Sequence, residues 1–178
     1  MLIGERVRLR ALDTSDAEVI WPWYHDHEFS QLDGWRYPSS LSQKADWIRT
    51  VNQPGYGNLF LGIETETGLL IGLVSLKRAV PEDRSAEFGI AIERGHWEKG
   101  YGTDATRTIL RFAFGEMNLH RVWLGVSDYN PRAQHVYEKC GFKVEGRQRE
   151  ARFHNGQWSD KIVMGILDYE YFKQEAAG

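Results

Sequence analysis

Residues 6–11 alternate apolar and charged side chains with period two, which predicts a half-buried strand. Asp13 or Ser15 can then cap a helix, and Ser15 with Glu18 fits a capping box. Pro22 cuts that helix short. Residues 25–39 are polar, aromatic and irregular. Ser40 with Gln43 opens a second helix that runs to about Val51, and the stretch 52–55 ends it. Apolar runs at 59–64 and 69–77 flank Thr65-Glu66-Thr67-Gly68 and predict a hairpin, and Pro81-Glu82-Asp83 turns into a third strand at 86–92. After a polar, glycine-bearing loop, residues 103–114 place Ala105, Ile109, Phe112 and Ala113 on one helical face. A strand at 121–127 follows. Asn130 at an N-cap and Pro131 at the first helical position open the next helix. Its apolar face is Ala133, Val136, Tyr137 and Cys140, and Gly141 stops it. Two closing strands, 142–153 and 157–167, meet at Asn155-Gly156, and a short polar tail ends the chain. This order describes an α/β or α+β single domain.

Composition narrows the function classes. The 178 residues suit one domain, and 22 basic against 25 acidic residues give a net charge of −3, which disfavours a general nucleic-acid binder. A single cysteine allows no internal disulfide and fits a reducing compartment. No apolar run approaches a membrane span, and the first six residues lack the layout of a signal peptide, so a cytoplasmic protein is expected. Aromatic residues make up 13%, and Trp21, Trp23, Tyr24, Phe29, Trp35 and Tyr37 crowd into one stretch.

The chemistry concentrates in Trp97-Glu98-Lys99-Gly100-Tyr101-Gly102-Thr103, between a strand and a helix. Glycines there let backbone N–H groups face an anion, and a helix N-terminus adds partial positive charge, so a phosphate-bearing ligand is one reading. A helix-entry turn without a ligand is the other. A Walker A loop fails, because Tyr101 stands where lysine is required. Residues 100–105 do match the dinucleotide pattern G-x-G-x-x-A, with Asp128 as a candidate ribose acid. The polar insert 93–99 is long for that tight turn, and too few strand–helix units follow for a doubly wound sheet.

Residues 86–92 followed by 97–103, with Asn130-Pro131-Arg132-Ala133, Tyr137-Glu138-Lys139 and Gly141-Phe142, resemble the acetyl-CoA site of the GCN5-related N-acetyltransferases (GNAT). Order and spacing are similar to the branch containing RimJ/RimL ribosomal-protein and spermidine N-acetyltransferases. The resemblance spans nearly the whole chain. It implies one domain over 1–178, with a core of about 5–172. The implied fold is a mostly antiparallel twisted sheet flanked by helices, with a splayed strand pair that binds acyl-CoA. Two departures stand out: Trp97 takes a position usually held by glutamine or arginine, and Glu98 takes one where glycine is common. Glu98 is expected to face solvent and contribute its N–H.

The resemblance also implies roles. Acetyl-CoA is the donor and no metal is needed. Backbone groups of Ile90, Ala91 and Ile92 align the pantetheine arm. Trp97, Glu98, Lys99, Gly100, Tyr101, Gly102 and Thr103 hold the diphosphate. Asn130 and Ala133 border the arm, although Asn130 also reads as a plain N-cap. Tyr137 is the general acid, its phenol being protonated at neutral pH. Glu87 is the candidate base through water, and equally a surface carboxylate on an alternating strand. Cys140 reads as core. Acceptor residues are expected among Trp23, Tyr24, Asp26, Trp35, Tyr37, Glu87 and Trp158, with Asp33 able to attract a cation. His25 and His27, without a cysteine partner, make a poor metal site. The acceptor is a small-molecule amine or a protein N-terminus, without nucleic acid or membrane, and homodimers are common in the branch. The competing class is a non-catalytic module that binds acyl-CoA or a nicotinamide dinucleotide.

Overall fold

The period-two segments assemble into one eight-stranded sheet in the computed structural model, which describes residues 1–34, 37–53 and 55–176. The strands are β1 (Leu2–Ile3), β2 (Val7–Ala11), β3 (Asn58–Thr65), β4 (Leu70–Val80), β5 (Ser85–Ile92), β6 (Arg121–Ser127), β7 (Lys143–His154) and β8 (Gln157–Leu167). Their order is β1-β2-β3-β4-β5-β6-β8-β7, antiparallel except for β5 and β6. That parallel pair meets only at Ser85↔Arg121, Ala86↔Val122 and Glu87↔Trp123. Beyond it, β6 stays with β8 to Ser127↔Lys161 and β5 stays with β4 to Gly72↔Ile92. The sheet therefore splits into a V. From Phe88 to Ile92, the edge of β5 that faces β6 has no strand partner.

Six helices accompany the sheet among the described residues: α1 (Ala17–Ile20), α2 (His27–Asp33), α3 (Leu41–Val51), α4 (Tyr101–Gly115), α5 (Pro131–Lys139) and α6 (Asp168–Glu175). Three differ from the sequence reading. The first capping box uses Asp13 and Asp16 rather than Ser15 and Glu18. Asp16 is held by the Arg10 guanidinium at 2.8 and 2.9 Å, which ties the box to β2. In the stretch that looked irregular, Asp26 accepts from the Phe29 N–H at 2.9 Å and starts α2, and Gly34 ends it in the left-handed conformation. The polar tail is helical because Tyr171 is buried against Phe114, with ring centroids 5.1 Å apart.

The main core lies between the sheet and α4, where Ala105, Ile109, Leu110 and Ala113 pack on Val7, Leu9, Ile63 and Ile71. Asp104, in the first turn of α4, accepts from the backbone N–H groups of Glu5, Arg6 and Val7 at 3.1, 2.8 and 3.0 Å. Arg6 in turn donates to the Lys99 carbonyl at 3.2 Å. The start of β2 thus holds both α4 and the loop before it.

A second core gathers Leu12, Ala17, Ile20, Ile48, Leu70 and Leu73, with Trp23, Tyr24 and Trp47 packed on it. Lys44 is only 1% exposed beside this core, its Nζ 3.8 Å from the Tyr24 ring centroid and 5.0 Å from that of Trp47. Burial lowers its pKa to about 8, opposed by the charge of Asp33. The unfolded lysine holds its proton up to about pH 10.4, so between about pH 8 and that point the unfolded state binds more protons and stability rises with pH. Relative to Lys44→Met, the wild-type protein is expected to gain stability across this interval in denaturant melts. A difference that stays flat from pH 7.5 to 10.5 refutes the assignment.

Candidate active site

The splayed strands open a cleft of about 820 Å³, bordered by the unpaired edge of β5, the end of β6, the N-terminal turns of α4 and α5, α2, and the β7–β8 hairpin. The first N–H groups of a helix have no intrahelical acceptor. At α4 the N-cap is Gly100, which supplies no side-chain cap. Gly100 has φ +82° and Glu98 has φ +61°, so the loop turns twice through the left-handed region before the helix begins. Glu98 is exposed, as expected. Lys99 donates to the Gly95 carbonyl at 2.7 Å and does not line the cleft.

Trp97 donates its indole N–H to the Ile92 carbonyl at 2.6 Å, which locks the loop to the last residue of β5. The Arg132 guanidinium lies 3.3 Å from the centroid of its ring. Desolvation in that position lowers the Arg132 pKa, opposed by the charges of Glu28 and Glu98. Asn130 acts as the N-cap of α5 and accepts from the Ala133 N–H at 3.2 Å.

Tyr137 is buried between Phe88 and Phe142, with centroids at 5.9 and 6.0 Å, and borders the cleft. Burial raises its phenol pKa, and the charge of Asp33 raises it further. Burial also pushes the Cys140 thiol up to about 11, so it stays protonated at neutral pH. Glu87 lines the cleft floor, with Oε2 3.0 Å from Arg78 Nη1. Asp33, at the end of α2, is open to the cleft but walled by protein behind, and that poor solvation raises its pKa. It accepts from the Tyr24 hydroxyl at 2.9 Å, and Lys44 and Lys77 favour its charged form.

None of the other expected acceptor residues that the structure describes lines the cleft. Trp23 and Tyr24 pack edge-on against Phe29 at 6.1 and 5.2 Å, within the second core. Asp26 caps α2 and pairs with Arg94 at 3.2 Å. Tyr37 is 81% exposed and Trp158 62% exposed, the latter edge-on to Phe153, which borders the cleft. Trp35 lies outside the described residues. The cleft also has Phe29 and His154, which lie in segments expected to border the acceptor, and His27, Lys77, Tyr129, Arg132 and Arg152, which the sequence reading did not assign to it. The alternation of β7 was the available pointer to Arg152.

A family model described as an acetyltransferase (GNAT) domain matches residues 6–143. The chain belongs to the GNAT family. An uncharacterized N-acetyltransferase p20 of Bacillus licheniformis is 28% identical over 173 residues, covering 96% of this chain and 97% of the relative. A spermidine N(1)-acetyltransferase of Vibrio cholerae is 41% identical over 105 residues, 59% of this chain and 61% of the relative. The Vibrio cholerae spermidine N-acetyltransferase structure in complex with CoA and spermine superimposes with a TM-score of 0.85 at 31% identity, covering 93% of this chain and 98% of that one. The GNAT chain is thus an acetyl-CoA-dependent acyltransferase acting on an amine. The dinucleotide reading gives way: residues 94–96 form a separate 3₁₀ turn before the glycines, and Asp128 is paired with Arg147 at 3.0 Å. Among the described residues there is no cluster of metal-binding side chains and no helix long and apolar enough to cross a membrane.

Two features fit the donor: the uncapped start of α4 for a diphosphate and the free edge of β5 for an extended amide-bearing arm. Gly100→Ala places a Cβ on a left-handed residue, at a cost of about 1–2 kcal/mol. A loop that relaxes to avoid this loses its anion-binding geometry. Titration calorimetry is expected to show acetyl-CoA affinity reduced about five- to twentyfold. Unchanged affinity separates Gly100 from donor binding.

Proposed function

We propose that this GNAT enzyme acetylates the primary amine of a small molecule that enters between α2 and the β7–β8 hairpin. The observation that carries this is the meeting of Tyr137 with two carboxylates, Asp33 and Glu87, around one cleft. Acetyl-CoA, when bound, supplies an activated thioester carbonyl. The N–H groups of residues 98–103 hold the diphosphate, with Arg132 beside them, and the β5 edge at Ile90, Ala91 and Ile92 aligns the arm. Asn130 and Ala133 flank it from α5, and Trp97 keeps the end of β5 in register with the loop.

Asp33 docks the ammonium, and Glu87 takes its surplus proton through water, since only the neutral amine has a lone pair for attack. Tyr137 donates its phenolic proton to the leaving sulfur as the amine nitrogen bonds the acetyl carbon and the C–S bond breaks, and the second proton lost by that nitrogen restores the phenol through water. The raised phenol pKa suits a group that must arrive protonated. Assembly into several copies belongs to the same reading, because a dodecameric Vibrio cholerae spermidine N-acetyltransferase shares the fold at a TM-score of 0.80.

Free-thiol release across an amine panel tests the proposal. Tyr137→Phe is expected to lower kcat about a hundredfold with acetyl-CoA affinity unchanged. Glu87→Gln should lower kcat, whereas Asp33→Asn should raise the KM of the amine. Turnover unaltered in Tyr137→Phe removes the phenol from the mechanism.

A further inference from the structure

We infer that the acceptor carries an anionic group beside its amine and that Arg152 recognises it. The inference rests on the reading above, in which the cleft acetylates an amine. Arg152 sits in β7 just past a break in the β7–β8 register between Gln148 and Arg152. Glu150 there has φ +50°, and its N–H donates to Asp160 Oδ1 at 2.7 Å. Asp160 is also paired with Arg147. Such a bulge re-aims the residues that follow it. Arg152 and His154 consequently line the cleft half-buried, with the more exposed Phe153 at its border between them and Ala151 outside it.

Among the described residues, the other arginines that border the cleft or its rim are engaged. Arg132 stacks on Trp97, Arg94 pairs with Asp26 and Glu28, and Arg78 pairs with Glu87. Arg152 has no carboxylate within 4.0 Å among the described residues. Its Nη1 lies 3.7 Å from where a Cβ on Gly34 would stand, next to Asp33 in sequence and across the cleft mouth. A guanidinium held half-buried with open donors is suited to a carboxylate or phosphate, which it can grip with two parallel hydrogen bonds.

The charge balance at this end of the cleft points the same way. Lys77 drapes over Gly89 on the floor, its Nζ 3.6 Å from where a Cβ would stand, and forms no ion pair within 4.0 Å among the described residues. Glu87 already faces Arg78. Among the described residues that line the cleft, Asp33 is left as the acid opposing Lys77 and Arg152. A polyamine with several positive charges meets like charge here, whereas a molecule with one ammonium and one anion finds a partner for each.

The test measures kcat/KM by free-thiol release on matched amines with wild-type protein, Arg152→Gln and Arg152→Lys. β-Alanine and 4-aminobutyrate provide carboxylates, and phosphoethanolamine provides a phosphate. Propylamine, ethanolamine and spermidine provide the amine without an anion. The wild-type protein should prefer the anionic member of a pair about ten- to a hundredfold, and Arg152→Gln should abolish that preference, with partial recovery in Arg152→Lys. Which anionic arm responds separates carboxylate from phosphate. Spermidine or a neutral amine turned over as well as its anionic counterpart overturns the inference while leaving the transferase reading intact. No thiol release with any amine of the panel, despite acetyl-CoA binding, overturns both.

Discussion

The site depends on one interrupted strand pairing. β5 and β6 are hydrogen-bonded neighbours for three positions and then part, each still held by its other neighbour. A backbone edge of five residues is thereby left without a ladder, in a protein that otherwise pairs its strands closely. Buried backbone groups need partners, so such an edge persists where a ligand or water supplies them. α5 starts where β6 ends and fills the fork with Ala133, Val136 and Tyr137. The gap is a packed wedge with one open wall. The same parting delivers the β5 edge, the start of α4 and the Tyr137 phenol to a single space.

Much of this was legible in the sequence, for identifiable reasons. Strands with period-two patterns and strong turn residues, such as Thr65–Gly68 and Asn155-Gly156, report on themselves locally. So do helices with side-chain caps and clean amphipathic faces: Ser40 with Gln43 and Asn130 with Pro131 were placed from the sequence and found so. The turn and helix onset at the donor half of the cleft follow from the same local signals, whereas reading them as a donor site needed the resemblance carried by two motifs together. Where the chain's conformation depends on distant partners, local pattern fell short. Asp16 outcompetes Ser15 at the first cap because Arg10, on another element, holds it in place. α6 needs Phe114 beneath Tyr171, a contact that no local period encodes.

The acceptor half was the least legible part, and the aromatic stretch shows why. A cluster of rings beside a cleft suggests ligand stacking, but Trp23 and Tyr24 turn inward around Ile20 and Ile48. Only Phe29 of the described rings in that stretch borders the cleft. The polar groups that line that side of the cleft include Asp33, Lys77, Arg152 and His154, single residues from three separate segments. Each is unremarkable in its own window. Their convergence is a product of topology: α2 reaches the hairpin, where Gln31 donates to Asn155 at 3.1 Å and closes the far side of the cleft.

The inward-turned rings still act on the site, at one remove. Tyr24 presents its face to Lys44 and its hydroxyl to Asp33, so one aromatic side chain joins a buried cation to the carboxylate at the cleft wall. Each charge makes the other easier to keep in a poorly solvated place: Asp33 opposes the fall of the Lys44 pKa, and Lys44 opposes the rise at Asp33. Losing either would leave its partner more strongly driven toward the neutral form. The second core therefore does more than anchor α2 mechanically. It bears on how much negative charge Asp33 carries near Tyr137, the charge that the proposed mechanism uses to dock an ammonium.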